Sequence, residues 1–424
     1  MLPRSSPLLF PLTFVALLAL AGCAGGSPPE PTPDTTPDAA VDTHGAIAGA
    51  AELAEPALGL TSIDAEGRVS HLDLLDESTA DLGAVRAPDA VHGDGRYLFA
   101  MDGAGVSIVD SGVWTWDHVD HFHYYRAEPR VLGDVEGGGA GGGAGGAAGG
   151  SGGGGVATVA TSNSSTTGGT GLFFPESGDA VLLDTEALSK GRIVETFRLA
   201  REPGAGLVVP VGSFAAVAAA DVLALHTADG TPTGDSADCV DPAGTITTRV
   251  GAVIGCRDAA LLIHVEDERP VIERVPYPAG TTAARATAFA NREGRPRVAA
   301  LAGDDGIWIL DTRARSWSLI PAPEPLVQVT AVDDADANLL ALTRDGRVLV
   351  LDGETGAERA ASAPLVAESL AAGASATLVA DQQRAYLNGP VEGRLWEIDF
   401  ADGARIAREF PAERSPAFFV QTGR

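Results

Sequence analysis

The chain has 424 residues, and its 57 acidic and 29 basic side chains give a formal net charge of −28. A surface this acidic repels nucleic acid and anionic lipid, which excludes both as partners held by direct charge attraction. The charge suits a soluble protein outside the cytoplasm. Cysteines and histidines are scarce, at three and eight, so a cluster of either type is informative.

Residues 1–22 are predicted to be a lipoprotein signal peptide. Arg4 supplies a positive charge, and residues 7–21 form an apolar run too short to span a membrane. Residues 20–23, LAGC, resemble the lipobox of bacterial lipoproteins, which implies cleavage before Cys23 and lipid on its sulfur. The alternative is a secretory signal with an incidental cysteine. We therefore expect a lipid anchor on the outer face of the cell membrane.

The next segment, residues 23–50, is rich in Pro, Thr, Asp and Gly and has little to bury, so it is predicted to be a disordered tether. Residues 51–424 are predicted to form one domain. A glycine tract interrupts this domain, and a disordered insertion is predicted at about residues 135–156. The tract lacks the G-K-[ST] of a phosphate loop, so phosphate binding is not expected.

Short apolar runs alternate with turn signals from residue 51 onward, and helical periodicity is almost absent. Residues 327–365 contain four predicted strands in about 40 residues, the size of one blade of a WD40- or YVTN-like propeller. Similar hairpins begin at residues 68, 105, 179, 221, 260, 306, 347 and 394. An all-β, eight-bladed β-propeller is therefore predicted, with seven blades as the alternative. Residues 417–422 are expected to complete the first blade and close the ring.

Two cysteines remain if Cys23 carries lipid. The sequence between Cys239 and Cys256 predicts a strand, a turn near residues 249–251 and a returning strand, which would bring the two thiols together. An exported location permits a disulfide. A disulfide between Cys239 and Cys256 is therefore predicted, with two free thiols as the alternative.

Three of the eight histidines lie in residues 114–130, WTWDHVDHFHYYRAEPR. The HFHYY segment is aromatic and lacks turn residues, which predicts a strand. His121, His123 and Tyr125 would then share one face of that strand, with Phe122 and Tyr124 on the other. The segment follows a propeller hairpin, so it is predicted to be the outer strand of the second blade or the crossing toward the third.

Two imidazoles about 7 Å apart at their Cβ atoms can converge on one ion. Further ligands are expected from the preceding turn, because zinc takes three or four nitrogen and oxygen ligands and imidazole also suits other transition metals. The predicted metal ligands are His118, His121, His123, Asp117 and Asp120. In the alternative interpretation the histidines face solvent on an edge strand while Phe122 and Tyr124 pack inside.

The other histidines carry less weight. His92 is expected to be a turn residue, and His71, His226 and His264, in or at the end of apolar strands, are expected to be packed or surface residues. No nucleophile elbow, zinc-protease motif or triad is recognisable. An enzyme is therefore not expected.

The order of lipobox, acidic propeller, histidine stretch and cysteine pair resembles the AztD-type zinc metallochaperones, which are extracytoplasmic propellers associated with zinc ABC importers. The likeness covers roughly residues 51–424 and is carried by the blade pattern, by DHVDHFHYYRAEP and by the residues flanking Cys239 and Cys256. It implies zinc binding and handover to the importer's solute-binding protein. Histidines that the family has at later loops are absent from residues 202–206 and 241–244, so the resemblance does not extend to a second zinc site.

The functional hypothesis is accordingly a membrane-anchored, monomeric lipoprotein that binds zinc and delivers it to a solute-binding protein. The alternative is a propeller scaffold that binds protein or cell-envelope partners and no metal.

Overall fold

The computed structural model describes residue 47 and residues 49–117, 121–138 and 155–424. The predicted signal peptide, Cys23, nearly all of the tether and most of the glycine tract lie outside these residues. Regular structure is almost entirely β-strand. The helical elements are short: α1 (Thr185–Ser189), which Asp184 caps by accepting a hydrogen bond from the Ala187 amide, α2 (Ala367–Ala371) and a 3-10 turn (Gly303–Asp305). In this part of the chain, no helix has the length and apolar character of a membrane span.

The strands are numbered in chain order. The first ten are β1 (Ala50–Leu53), β2 (Gly59–Ile63), β3 (Arg68–Asp73), β4 (Thr79–Ala84), β5 (Ala90–Gly93), β6 (Tyr97–Met101), β7 (Gly105–Asp110), β8 (Val113–Asp117), β9 (Phe122–Ala127) and β10 (Arg130–Glu136). The next twelve are β11 (Thr158–Thr161), β12 (Gly169–Phe174), β13 (Asp179–Asp184), β14 (Glu195–Ala200), β15 (Gly206–Val211), β16 (Phe214–Ala219), β17 (Val222–Thr227), β18 (Pro232–Asp238), β19 (Thr245–Thr247), β20 (Ala252–Gly255), β21 (Ala259–Glu266) and β22 (Arg269–Pro276). The last twelve are β23 (Arg297–Leu301), β24 (Ile307–Asp311), β25 (Ser316–Ile320), β26 (Leu326–Ala331), β27 (Asn338–Thr343), β28 (Val348–Asp352), β29 (Glu358–Ala361), β30 (Leu378–Ala380), β31 (Ala385–Gly389), β32 (Arg394–Asp399), β33 (Arg405–Pro411) and β34 (Phe418–Thr422).

Antiparallel meanders follow one another along the chain. In the described residues they form the sheets β34-β2-β3-β4, β5-β6-β7-β10, β11–β14, β15–β18, β19–β22, β23–β25, β26–β29 and β30–β33. The sheet of β23–β25 has three strands, and Ala290 extends it through a bridge to Ala299. The fold is the predicted all-β propeller. Each predicted hairpin starts at or beside the third strand of a four-stranded sheet or, in the three-stranded sheet, at the middle strand β24.

The two ends of the propeller meet in one sheet, as predicted. Strand β34 pairs antiparallel with β2, with Thr422 opposite Gly59 and Phe418 opposite Ile63. This pairing gives the first blade its fourth strand and removes an open seam between the first and last blades.

The hydrophobic core lies between neighbouring blades. In β27, Leu339 and Ala341 pack with Ile309 of the preceding blade, whereas Leu340 packs with Leu387 of the following blade. Alternate side chains of a strand point to opposite faces, so a strand covered on both faces is apolar at every position. This explains the short continuous apolar runs of the sequence.

A disulfide joins Cys239 and Cys256, whose Cα atoms are 5.0 Å apart. The intervening segment forms the predicted hairpin, in which Thr245 of β19 lies opposite Ile254 of β20. Both cysteines are fully buried in the core between β17 and β21.

Candidate metal centre

The histidine stretch forms a small sheet of its own. Strands β8 and β9 leave the second blade after β7, and the chain returns to that blade as β10. Strand β9 is the central strand of the order β1-β9-β8. The predicted strand is confirmed from Phe122 onward, with His121 directly before it. Its predicted position was wrong, because β10 is the outer strand of the second blade. The local pattern could not distinguish a blade strand from a strand of an inserted hairpin.

In the alternative interpretation the histidine face of β9 would be exposed and Phe122 buried, but the structure shows the reverse for His123 and Phe122. His123 and Tyr125 are buried, whereas Phe122 is 52% exposed. The ring of Tyr125 stacks on that of Trp114 in β8, with ring centroids 5.1 Å apart, and on that of His123. The aromatic pairing between β8 and β9 therefore turns the histidine face inward and leaves Phe122 outside.

Specific contacts fix the inserted sheet against the propeller. The amide of Thr115 donates a hydrogen bond to the carbonyl of Arg424 at 3.1 Å, and its hydroxyl donates to the carbonyl of Gly423 at 2.8 Å. Arg126 forms an ion pair with Asp73 at 2.5 Å. The sheet is thus held at the first blade and at the end of the closing strand.

Within the histidine stretch, His121 and His123 are the described histidines, and their rings approach each other through their Nε2 atoms. Nε2 of His121 lies 2.8 Å from Nε2 of His123. The i, i+2 spacing puts both imidazoles on one side of the strand, as predicted. One nitrogen of the pair must donate and the other accept, so the arrangement holds a single shared proton.

The carboxylate of Glu52 determines which nitrogen of His123 carries hydrogen. Oε1 of Glu52 lies 2.6 Å from Nδ1 of His123. An ionised carboxylate only accepts, so Nδ1 is the donor and the Nε2 of a neutral ring keeps its lone pair. Histidines that ligate metals are oriented by carboxylates in the same manner.

Glu52 was missed in the sequence analysis. It lies on β1, where it is opposite Tyr125 of β9, 71 residues from its histidine partner. The isolated segment 50–53 gives no signal of such a partner, because only long-range strand pairing sets its register.

Of the other three predicted ligands, the structure describes only Asp117. His118 and Asp120 lie outside the described residues. Asp117, at the end of β8, forms an ion pair with Arg249 at 3.3 Å. Across the residues that the structure describes, no three His, Cys, Asp or Glu side chains are already gathered as a metal site.

The described donors nevertheless fit a metal of the zinc type. Two imidazole nitrogens bound to one tetrahedral zinc ion lie about 3.3 Å apart, given zinc–nitrogen distances of about 2.0–2.1 Å. Their present separation is 2.8 Å. A small opening of the exposed His121 would admit an ion in place of the shared proton.

The remaining histidines occupy different environments. His71 and His226 are packed, and burial lowers the pKa of His71 to about 4. His92 was predicted to be a turn residue, but it belongs to β5. It lines a cavity that residues of β11, β15 and β19 also line.

The molecule is therefore a β-propeller with an inserted sheet that carries a carboxylate-oriented pair of histidines. No protein-family model matches the chain, and no curated protein matches its sequence. Among solved structures, the crystal structure of AztD from Citrobacter koseri is similar with a TM-score of 0.70 and 21% identity, over 87% of this chain and 98% of that one. The structure of apo AztD from the same bacterium gives a TM-score of 0.70 and 20% identity over the same shares. This likeness shows the fold, and it confirms the predicted resemblance to AztD at that level.

Proposed function

We propose that the chain binds a divalent transition metal, with zinc as its cargo, at His121 and His123. The observation that carries this proposal is the pair of Nε2 atoms 2.8 Å apart, one of them on a ring whose Nδ1 is held by Glu52. Imidazole nitrogen is a preferred ligand of zinc and a poor one of calcium or magnesium. The resemblance to AztD supports zinc over the other transition metals.

The residues would act by orienting donors and by freeing the lone pair of each Nε2 for the ion. Glu52 keeps the lone pair of His123 Nε2 directed at His121. Metal binding would require the hydrogen between the two rings to move, through solvent, from Nε2 to Nδ1 of His121, because a ligand nitrogen must offer its lone pair. The carboxylate side chain is 45% exposed, so solvent and a partner can reach the centre. Such openness favours exchange over permanent storage.

The cargo would pass to the solute-binding protein of a zinc ABC importer. In this proposal Cys23 carries the lipid, and the lipid is the only contact with the membrane. The propeller works as a monomer at the outer face of the cell membrane. Binding and transfer require no covalent chemistry, so we propose no enzymatic activity. A zinc importer encoded beside this chain would support the handover.

The direct test is a zinc titration against a chelating dye with metal-stripped protein. Wild-type protein should bind zinc tightly, and the His121→Ala/His123→Ala variant should lose that binding while its circular dichroism stays unchanged. His264→Ala is a matched control, since it removes an imidazole on a different blade. Equal zinc binding by wild type and the double variant would refute the proposed centre.

A variant of the exposed Phe122 tests zinc transfer separately from zinc binding. It lies on the face of β9 opposite to His123, so Phe122→Ser should leave zinc affinity intact. If partners dock on this edge, the same change should slow zinc transfer to the solute-binding protein. Zinc binding without transfer would leave a metal-binding scaffold as the better description.

A further inference from the structure

A groove of about 510 Å³ separates the inserted sheet from the loops of the propeller. Trp116, Asp117 and Phe122 line it on the side of the inserted sheet, and Arg249 and Arg292 line it on the side of the propeller. Asp117 and Arg249 form an ion pair at 3.3 Å, in which the two side chains are 50% and 63% exposed. The groove is therefore open to solvent, with aromatic side chains on one wall and cations on the other.

Three guanidinium groups, those of Arg292, Arg295 and Arg313, meet beside the groove and form an arginine cluster. Nε of Arg295 lies 3.1 Å from a carboxylate oxygen of Asp333, and a guanidinium nitrogen of Arg313 lies 3.9 Å from the other. Arg292 donates instead to the main chain, with its Nε 3.0 Å from the carbonyl oxygen of Val332. One carboxylate thus serves the cluster at close range.

The positive charge of the arginine cluster is incompletely compensated. Burial lowers the pKa of Arg292, and the neighbouring Arg295 lowers it further. Asp333, Asp334 and Asp381 act in the opposite direction without reversing the shift. A guanidinium whose charged form is disfavoured in this way is one that a further anion would stabilise.

Four acidic side chains also line the groove: Asp94, Asp117, Glu293 and Asp381. Two of them pair with arginines that line the groove, at 3.3 Å for Asp117 and 3.4 Å for Glu293. Asp381 accepts a hydrogen bond from the side-chain amide of Gln421 at 3.0 Å. Burial raises the pKa of Asp94 to about 6, so its charge is disfavoured. The protein itself therefore compensates most of the acids of the groove.

The groove lies on the face of the propeller that carries the histidine pair. The first and third strands of an antiparallel meander run in the same direction, so the loops that follow them leave on the same side. The inserted sheet follows β7, a third strand, whereas Arg249 and Asp333 follow β19 and β26, both first strands. Phe122 directly precedes His123 on β9 and points to the other face of that strand. A partner in the groove would thus be one strand away from the histidine pair.

The charge of the groove indicates what kind of partner it fits. A protein that takes up zinc presents carboxylates and imidazoles to the ion. The net charge of −28 repels an acidic partner except where cations are concentrated. Arginine and aromatic side chains are also enriched at protein interfaces, and Phe122 is 52% exposed beside the arginines. Charge and apolar contact are therefore available together.

We propose that the groove and the arginine cluster are the docking surface for an acidic segment of a zinc-accepting protein. This inference rests on the proposed function, in which zinc passes to a second protein. Carboxylates of the segment pair with Arg249, Arg292 and Arg313, and an apolar side chain of the segment covers Phe122. Docking places the ligands of the acceptor beside the inserted sheet.

The test uses two synthetic peptides with the same histidine-based zinc ligands, one flanked by aspartates and the other by asparagines. At about 0.1 M salt, metal-free wild type should bind the aspartate peptide about tenfold more tightly than the asparagine peptide. Salt at about 1 M should abolish this preference, because the Debye length falls from about 10 Å to about 3 Å. Fluorescence anisotropy of labelled peptides measures both affinities.

Variants with matched controls assign the preference to this surface. Arg249→Glu/Arg313→Glu should abolish it, whereas Arg249→Lys/Arg313→Lys keeps the charges and should retain it. Arg344→Glu is the control, since Arg344 is 60% exposed but follows β27, a second strand, and so lies on the opposite face. The docking surface is refuted if the aspartate peptide binds wild type and Arg249→Glu/Arg313→Glu equally.

Two further measurements separate this inference from the proposed function. In the dye titration, Arg249→Glu/Arg313→Glu should bind zinc as the wild type does, but it should deliver zinc to the aspartate peptide more slowly. A wild type that binds no zinc yet prefers the aspartate peptide would refute the His121–His123 centre alone. Sedimentation of the protein by itself should show monomers. A wild-type dimer that the double charge reversal dissociates would make a second copy the occupant and overturn the inference.

Discussion

The guanidinium of Arg96 lies over the indole ring of Trp114, with its Cζ 3.7 Å from the ring centroid. Arg96 follows β5 in the second blade, and Trp114 belongs to the inserted sheet. The same guanidinium donates two hydrogen bonds of 2.9 Å to Asp110, at the end of β7. All three side chains are buried. One arginine therefore ties the histidine-bearing sheet to the propeller and neutralises a buried carboxylate.

Replacing Arg96 by Met should destabilise the protein by about 3–5 kcal/mol, because it leaves the charge of Asp110 buried with only a half-exposed partner. Urea unfolding measures the loss. Arg130→Met is the matched control: Arg130 also contacts Asp110, at 3.2 Å, but it is 42% exposed. Its cost should stay below about 1 kcal/mol. Equal losses of unfolding free energy in the two variants would mean that the buried Arg96–Asp110 pair is not the stronger interaction.

Glu52→Ala should weaken zinc binding at the His121–His123 centre by about 10–100-fold, the usual effect of losing a carboxylate that orients a histidine ligand. The zinc affinity of Glu52→Gln should lie between those of wild type and Glu52→Ala, because the amide oxygen of Gln still accepts a hydrogen bond from Nδ1 but carries no charge. Dye competition measures each affinity. Glu55→Gln, three residues away on the same exposed segment, should match wild type, and an unaffected Glu52→Ala would remove Glu52 from the site.

Removing the disulfide should lower the free energy of unfolding without affecting zinc. The two cysteines are 17 residues apart, which corresponds to about 3 kcal/mol in the loop-entropy description. The Cys239→Ala/Cys256→Ala variant should therefore unfold at lower urea and bind zinc as the wild type does. A reductant should destabilise the wild type and leave the variant unchanged. A loss of zinc affinity in the variant would show that the core around Cys239 and Cys256 affects the metal centre, contrary to this prediction.

Asp94 lies in the turn between β5 and β6, and its buried Oδ2 has no hydrogen-bond partner among the described residues. Asp94→Asn should stabilise the metal-free protein at pH 7. The folded-state pKa of about 6 exceeds the ordinary value of 3.8, so folding favours the protonated acid and stability falls as pH rises through 4 to 6. The variant should gain of the order of 1–3 kcal/mol over wild type at pH 7. The gain should vanish near pH 3, where both states of the wild type hold the proton.

Paired urea unfolding at the two pH values measures this difference. Burial lowers the pKa of His92 to about 4, which gives an opposite pH dependence, and the comparison with wild type cancels it. Asp336→Asn should stay within about 0.5 kcal/mol of wild type at both values. An Asp94→Asn protein that is less stable at pH 7 would show that the carboxylate is already satisfied there.

Local patterns determined much of this protein. Strand length, turn residues and apolar runs are properties of neighbouring residues, so the propeller, its hairpins and the disulfide hairpin could be predicted. The partnership of β34 with β2 also followed, because a blade with one strand too few needs one from the far end. The i, i+2 spacing of His121 and His123 placed both imidazoles on one face.

Only the tertiary structure decided where that face points and what meets it. The inserted position of β9 and the approach of Glu52 to His123 both depend on residues that are far apart in the chain. Such contacts depend on strand register and on the closure of the ring, and no local signal encodes either. Short-range periodicity thus determines the elements and the pairing of His121 with His123, whereas the carboxylate that orients His123 comes from long-range strand pairing.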